Sequence, residues 1–188
     1  MTLRQIRDKI YHLLFGNGRE NNRKEYEAMY DVLDICRYIV NYCNQQGYRI
    51  TNLKLQKLLY FIQAVFLTDT DAGNPCFNAT IEAWDFGPVV PEAYHAFKQY
   101  GSSNIPRITE HLIFDDDNLW GAHVEKYDDN CIEENDKQVI RDVVDDLSGY
   151  SASQLVDMTH QQEPWINAYR KGRNREITIN AIRDYFNE

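Results

Sequence analysis

The residues of this chain best suited to nucleophilic or metal chemistry are four cysteines and five histidines, and their spacing favours neither use. Cys36, Cys43, Cys76 and Cys131 contain no Cys-x-x-Cys pair. His12, His95, His111, His123 and His160 contain no His-x-x-x-His or His-Glu-x-x-His spacing, so no set of zinc ligands is written in the sequence. Cys36 and Cys43 fall on the apolar stripe of a predicted helix, where a thiol serves as a small core side chain. A Cys–His pair that meets only in space stays open, with His160 or a cysteine as the residue such an enzyme would use. The acidic run "DTDAGN" from Asp69 imitates the start of a calcium loop. It has Asn74 where that loop needs glycine and Thr80 where it needs a bidentate glutamate, and "DDDN" from Asp115 fails likewise. There is no Gly-x-Ser-x-Gly elbow, phosphate-binding glycine loop or dinucleotide fingerprint. The expectation is a binding protein and not an enzyme, with no catalytic residue, no metal and no cofactor.

The whole chain narrows its class. Its 188 residues suit one domain with an appendage, and 43% of them are hydrophobic, enough for a real core. A net charge of −9 argues against nucleic acid as the main partner, because affinity for a phosphate backbone comes from Lys and Arg displacing counterions. No apolar run has the length of a membrane span or the form of a signal peptide, so the sequence predicts a cytoplasmic protein that keeps its thiols reduced and uses no membrane.

Periodicity then sets out the elements that must position any site. Leu3, Ile6, Ile10, Leu13 and Leu14 mark an appended amphipathic helix, and "GNGRENNRKE" ends it as a linker. Residues 1–24 are therefore read as an N-terminal segment whose apolar stripe is a candidate for partner binding, and 25–188 as the domain. Met29, Val32, Cys36, Ile39, Val40 and Cys43 predict a long helix capped by Gly47. Thr51 caps the next, whose Leu55, Leu58, Leu59, Ile62 and Phe66 form one face while Leu53, Tyr60, Ala64 and Leu67 lie opposite. That helix should be central and covered on most sides. "ATIEAWDF" reads as a strand, Gly87-Pro88 as a rigid turn, and Val90 to Tyr100 as a helix with Pro91 in its first turn and Gly101 at its end. "PRITE" and "HLIF" suggest short strands. Helices follow at Glu133 to Leu147, at "ASQLVDMTH" capped by Ser151, at Pro164-Trp165 and after Thr178. The fold class is mainly α (α+β): a compact helical domain with a small antiparallel β element and the N-terminal appended helix.

Trp84, Phe86, Tyr94, Phe97 and Tyr100 crowd around Gly87-Pro88. Aromatic side chains usually fill a core, yet Trp and Tyr also anchor protein interfaces, and both uses are open here.

Three blocks in order, "ITNLKLQKLLYFIQAVFL", "IEAWDFGPVVPEAYHAFKQYG" and "SASQLVDMTHQQEPWINAYRKG", resemble the signature blocks of the Panacea, or SocA-like, antitoxin domain family over roughly Tyr30 to Phe186. Family positions carry over to Leu53 through Tyr60, Glu82 through Trp84, Gly87 through Val89, and Thr159, His160, Pro164 and Trp165. Such proteins are encoded in bacteria and their phages. The resemblance implies an antitoxin that neutralises a cognate toxin protein by direct contact. Its alternative is an adaptor that delivers the toxin to a AAA+ protease, and the phage or mobile-element enzyme above stands as a weaker rival. It marks Lys57, Tyr60, Trp84, Gly87, Pro88, Tyr94, His160 and Trp165 as candidates either for toxin binding or for holding the fold.

Overall fold

The computed structural model describes residues 30–68, 74–114 and 121–187. The expected N-terminal helix and linker lie outside the described residues. Helix α1, Val32–Gln46, begins where the Asp31 carboxylate accepts from the Leu33 N–H, and ends where Gly47 turns left-handed at φ 75°. Its Ile35, Cys36, Ile39, Val40 and Cys43 enter the core. Helix α2, Asn52–Thr68, starts at Thr51, whose hydroxyl accepts from the Lys54 N–H at 3.3 Å. Every residue from Lys54 to Leu67 is buried, so α2 is the axis of the domain.

Strands β1, Glu82–Trp84, and β2, Gly87–Val89, form an antiparallel hairpin, followed by α3, Pro91–Phe97, and a 3-10 turn, Lys98–Tyr100. Strands β3, Glu110–Phe114, and β4, Ala122–Lys126, pair as a separate two-stranded ribbon. Helix α4, Glu134–Ser148, packs on α1 and α2. Helix α5, Ala152–Thr159, opens with a capping box between Ser151 and Gln154, and α6, Glu163–Ala168, has a proline in its first turn. Strand β5, Arg175–Glu176, pairs antiparallel with the free side of β1, which gives the sheet order β2-β1-β5. Helix α7, Ile179–Asn187, then returns to pack along α2. The fold is mainly α with small antiparallel sheets.

The structure corrects several local expectations. Gly87 and Pro88 are not the turn but the start of β2, and the turn is Asp85-Phe86. Proline is tolerated because β2 is an edge strand, where a missing N–H leaves no ladder bond broken on the open side. The "ATIEAWDF" strand shrinks to three residues, and "PRITE" stays unpaired until Glu110. Among the described residues, no helix is long and apolar enough to cross a membrane, and no group of three or more His, Cys, Asp or Glu is placed to hold a metal ion.

Candidate functional site

Helix α2 carries polar side chains that a buried helix ordinarily avoids, and each reaches the backbone or side chain of a different segment. Gln63 accepts from the Cys76 N–H at 2.9 Å and donates to the Phe77 carbonyl at 3.2 Å. Gln56 accepts from the Val90 N–H at 2.9 Å and donates to Asn52 Oδ1 at 3.0 Å, while Asn52 donates to the Tyr94 carbonyl at 3.1 Å. Tyr60 donates to Gln162 Oε1 at 2.8 Å, and Lys54 donates to the Ser148 carbonyl at the end of α4, also at 2.8 Å. The irregular segments cannot all pair their backbone groups with each other. Left unsatisfied in the interior, each such group costs about 1–3 kcal/mol.

Lys57 is the sharpest case. It is fully buried and donates from Nζ to the Pro88 carbonyl at 2.7 Å, and burial pulls its ammonium down to about 7. Gly87 lies directly against it with φ 90°, a left-handed torsion that other residues adopt at a cost. A Cβ at Gly87 would stand 2.6 Å from Thr159 Oγ1 and 2.8 Å from Lys57 Nζ. Both the torsion and the space therefore require glycine, and the hairpin meets α2 and α5 at this point.

On the other side of the hairpin, aromatic rings tie the last helices to β1. His160 stacks on Trp165 at 4.0 Å between ring centres, and Trp165 stacks on Tyr169 at 4.5 Å. Trp165 Nε1 donates to the Trp84 carbonyl at 3.0 Å, and the Tyr169 hydroxyl donates to Asp85 Oδ1 at 2.9 Å. Trp84 packs edge-on against Tyr94 at 4.9 Å and donates from its indole to Glu82 Oε2 at 2.7 Å. Burial first, and the Lys57 cation second, hold His160 below the ordinary imidazole value, against a hydrogen bond to the Asp85 backbone and the charge of Asp157. Burial and the Lys57 cation both favour the neutral imidazole.

All eight candidates carried over from the resemblance thus stand around one junction of α2, the β1–β2 hairpin and the α5–α6 turn. Lys57, Tyr60, Gly87 and Pro88 are inside it; Trp84, Tyr94, His160 and Trp165 are half-buried at its edge. The aromatic run divides: Phe97 enters the core, whereas Phe86, at the tip of the turn, is 66% exposed. Sequence reasoning passed over Asn52, Gln56 and Gln63 as partners, although amides spaced four and seven residues apart on an apolar helix were a visible signal. Tyr169 and Arg170 stand in the third resembling block but, like Arg173, were not singled out, since nothing local places their turn beside Trp84.

That turn closes a cleft of about 490 Å³ between the start of α2, the Asp85-Phe86 turn and residues 169–174, with Trp84, Tyr94 and Tyr169 among its walls.

The sequence model of the family described as "Antitoxin SocA-like, Panacea domain" matches residues 55–166, more than half of the chain. The chain belongs to this SocA-like, Panacea-domain antitoxin family. A curated relative, Antitoxin SocA of Caulobacter vibrioides (strain NA1000 / CB15N), is 40% identical over 119 residues. The alignment covers 62% of this chain and 58% of the relative, so the chain spans less than two thirds of that protein. No solved structure matches. The Panacea match contains all eight junction residues and stops short of Tyr169, Arg170 and Arg173, so the far wall of the cleft lies beyond it.

Proposed function

We propose that this chain is an antitoxin that neutralises a cognate toxin protein by binding it directly, without chemistry of its own, in the cytoplasm. The observation that carries the reading is the antitoxin-family match over residues 55–166. The interior supports binding over catalysis. Burial raises the Cys36 thiol far above its ordinary value and pushes the Cys43 thiol up to about 12, so neither is a thiolate nucleophile at neutral pH. Lys57, whose depressed ammonium would otherwise suggest a general base, donates to the Pro88 carbonyl and is sealed from solvent. The surface offers instead what interfaces use, an exposed Phe86 and a half-buried Trp84 on the hairpin beside a half-buried Tyr94 on α3.

Co-expression with the product of the adjacent reading frame tests this. Growth arrest by that product alone and recovery when both are made is the expected result; arrest that persists with both proteins detectable refutes it. Toxin abundance identifies the route. Under direct neutralisation it stays constant with or without AAA+ proteases, whereas loss of toxin that requires such a protease replaces blocking with delivery.

A further inference from the structure

The cleft beside the β1–β2 turn has a charge opposite to that of the molecule. The chain carries −9, yet the cleft is lined by Lys98, Arg170 and Arg173 against a single carboxylate, Asp85. That carboxylate already accepts from the Tyr169 hydroxyl. Arg170 donates to the carbonyls of Asn167 and Tyr169, which hold the guanidinium in place without neutralising it. Among the described residues, no salt bridge engages Lys98, Arg170 or Arg173. The amides at the base are satisfied within the fold, Gln56 by Val90 and Asn52 by Tyr94, so they do not call for a polar ligand. What remains open is an aromatic surface under a cationic rim, with Phe86 projecting at its edge.

We propose that this cleft receives a segment of the toxin in which an apolar or aromatic side chain is flanked by carboxylates. The inference rests on the antitoxin reading and names the surface and the chemistry of contact. Trp84, Tyr94 and Tyr169 are held by ring contacts and hydrogen bonds before any partner arrives, so an apolar anchor entering among them costs little side-chain ordering. The volume of about 490 Å³ lies in the range of sites that engulf a compact ligand and accommodates an anchor with its neighbours. The flanking carboxylates then meet Arg170, Arg173 and Lys98, Arg being the side chain best shaped for paired hydrogen bonds to a carboxylate. A nucleic-acid strand would also find cations and rings here, but the −9 of the whole chain opposes its approach, whereas a short acidic segment senses mainly the local rim.

The test uses the full chain, the purified product of the adjacent reading frame, and two variants at exposed positions: Phe86→Ala and the double reversal Arg170→Glu/Arg173→Glu. Unchanged melting temperatures establish that both variants are folded, and Lys98→Glu substitutes for any that is not. Each variant is expected to bind the toxin about tenfold more weakly or worse, and the charge reversal to lose the salt dependence of the wild-type complex. Among overlapping toxin peptides, the one that competes for the wild-type protein is expected to carry an apolar residue between Asp or Glu. Wild-type affinity in both folded variants, or competition by a Lys- or Arg-rich peptide, overturns the cleft proposal while leaving the antitoxin reading intact. Tighter binding of wild type to a labelled single-stranded oligonucleotide than to the toxin overturns it in favour of nucleic acid. Failure of the wild-type protein both to bind the toxin and to restore growth removes the antitoxin reading, and the cleft proposal with it.

Discussion

Replacing Gly87 with alanine tests the junction of α2, α5 and the hairpin with a single methyl group. Two costs are expected. The φ of 90° disfavours an L side chain by about 1–2 kcal/mol. The new Cβ would also press on Thr159 Oγ1 and Lys57 Nζ at 2.6 and 2.8 Å. Neither atom is free to withdraw: Thr159 Oγ1 donates to the Val156 carbonyl at 2.9 Å, and Lys57 Nζ to the Pro88 carbonyl at 2.7 Å. Overpacking of this kind adds about 1–3 kcal/mol, for a total of about 2–5 kcal/mol. Gly47 supplies the control, because it has a similar torsion, φ 75°, with no atom within 4 Å of a built Cβ. Gly47→Ala should therefore show the torsional cost alone, about 1 kcal/mol. Equilibrium urea unfolding of both variants reads the difference directly. Adding Thr159→Ala to Gly87→Ala should recover about 0.5 kcal/mol or more beyond additivity, because it removes one of the two obstructing atoms. If Gly87→Ala is no more costly than Gly47→Ala, the close approach has no energetic weight and the reasoning fails.

Stability should rise with pH from about 7 towards 8.5. The Lys57 ammonium titrates near 7 when folded and at 10.5 when unfolded, so the unfolded chain binds more protons across that window. The gain is about 1–2 kcal/mol before buried thiols and phenols, raised by the fold, reverse the trend at higher pH; Lys57→Met should flatten it, and a slope unchanged in that variant would assign it to other groups. Trp165→Ala should lower stability by about 2–4 kcal/mol, since it removes a ring stacked on both sides and strands the Trp84 carbonyl. Trp165→Phe should restore the stacking share but not the hydrogen bond, and equal stability of the two variants would show that the stacking carries no weight.

Much of the helical frame was legible because its signals are local. Gly47, Thr51, Pro91 and Ser151 announce helix ends through their own side chains or torsions, and the structure places ends there, whereas the start of α1 at Asp31 was not read. The β elements were harder for an equally physical reason. Strand β4 is exposed throughout and β5 is two residues long, so neither carries an alternation that burial would impose. Gly87-Pro88 was read as a turn from its residue types; whether such a pair turns or extends is decided by Ala83 and Trp84 across the hairpin. The resemblance marked the junction residues as a set but not their division of labour. That Lys57 is internal while Phe86 projects follows from how α2 is enclosed, which no short window contains. The cleft was the least legible feature, because its walls come from chain segments far apart in sequence, joined by β5 pairing with β1 and by the Tyr169–Asp85 hydrogen bond.

The polar contacts of α2 also impose a timetable on synthesis. As the chain leaves the ribosome, Gln63 and Lys57 meet their acceptors after 14 and 31 residues, and Gln56 meets its donor after 34. Lys54 must wait for a carbonyl 94 residues downstream, and Tyr60 for a glutamine 102 residues downstream. A nascent chain paused before Ser148 therefore holds its central helix with the Tyr60 phenol and the Lys54 ammonium still seeking partners, and cannot close around it. Truncated products, whether from nonsense codons or interrupted translation, should remain open and be degraded quickly, so that the cell's supply of folded domain depends on completed chains alone.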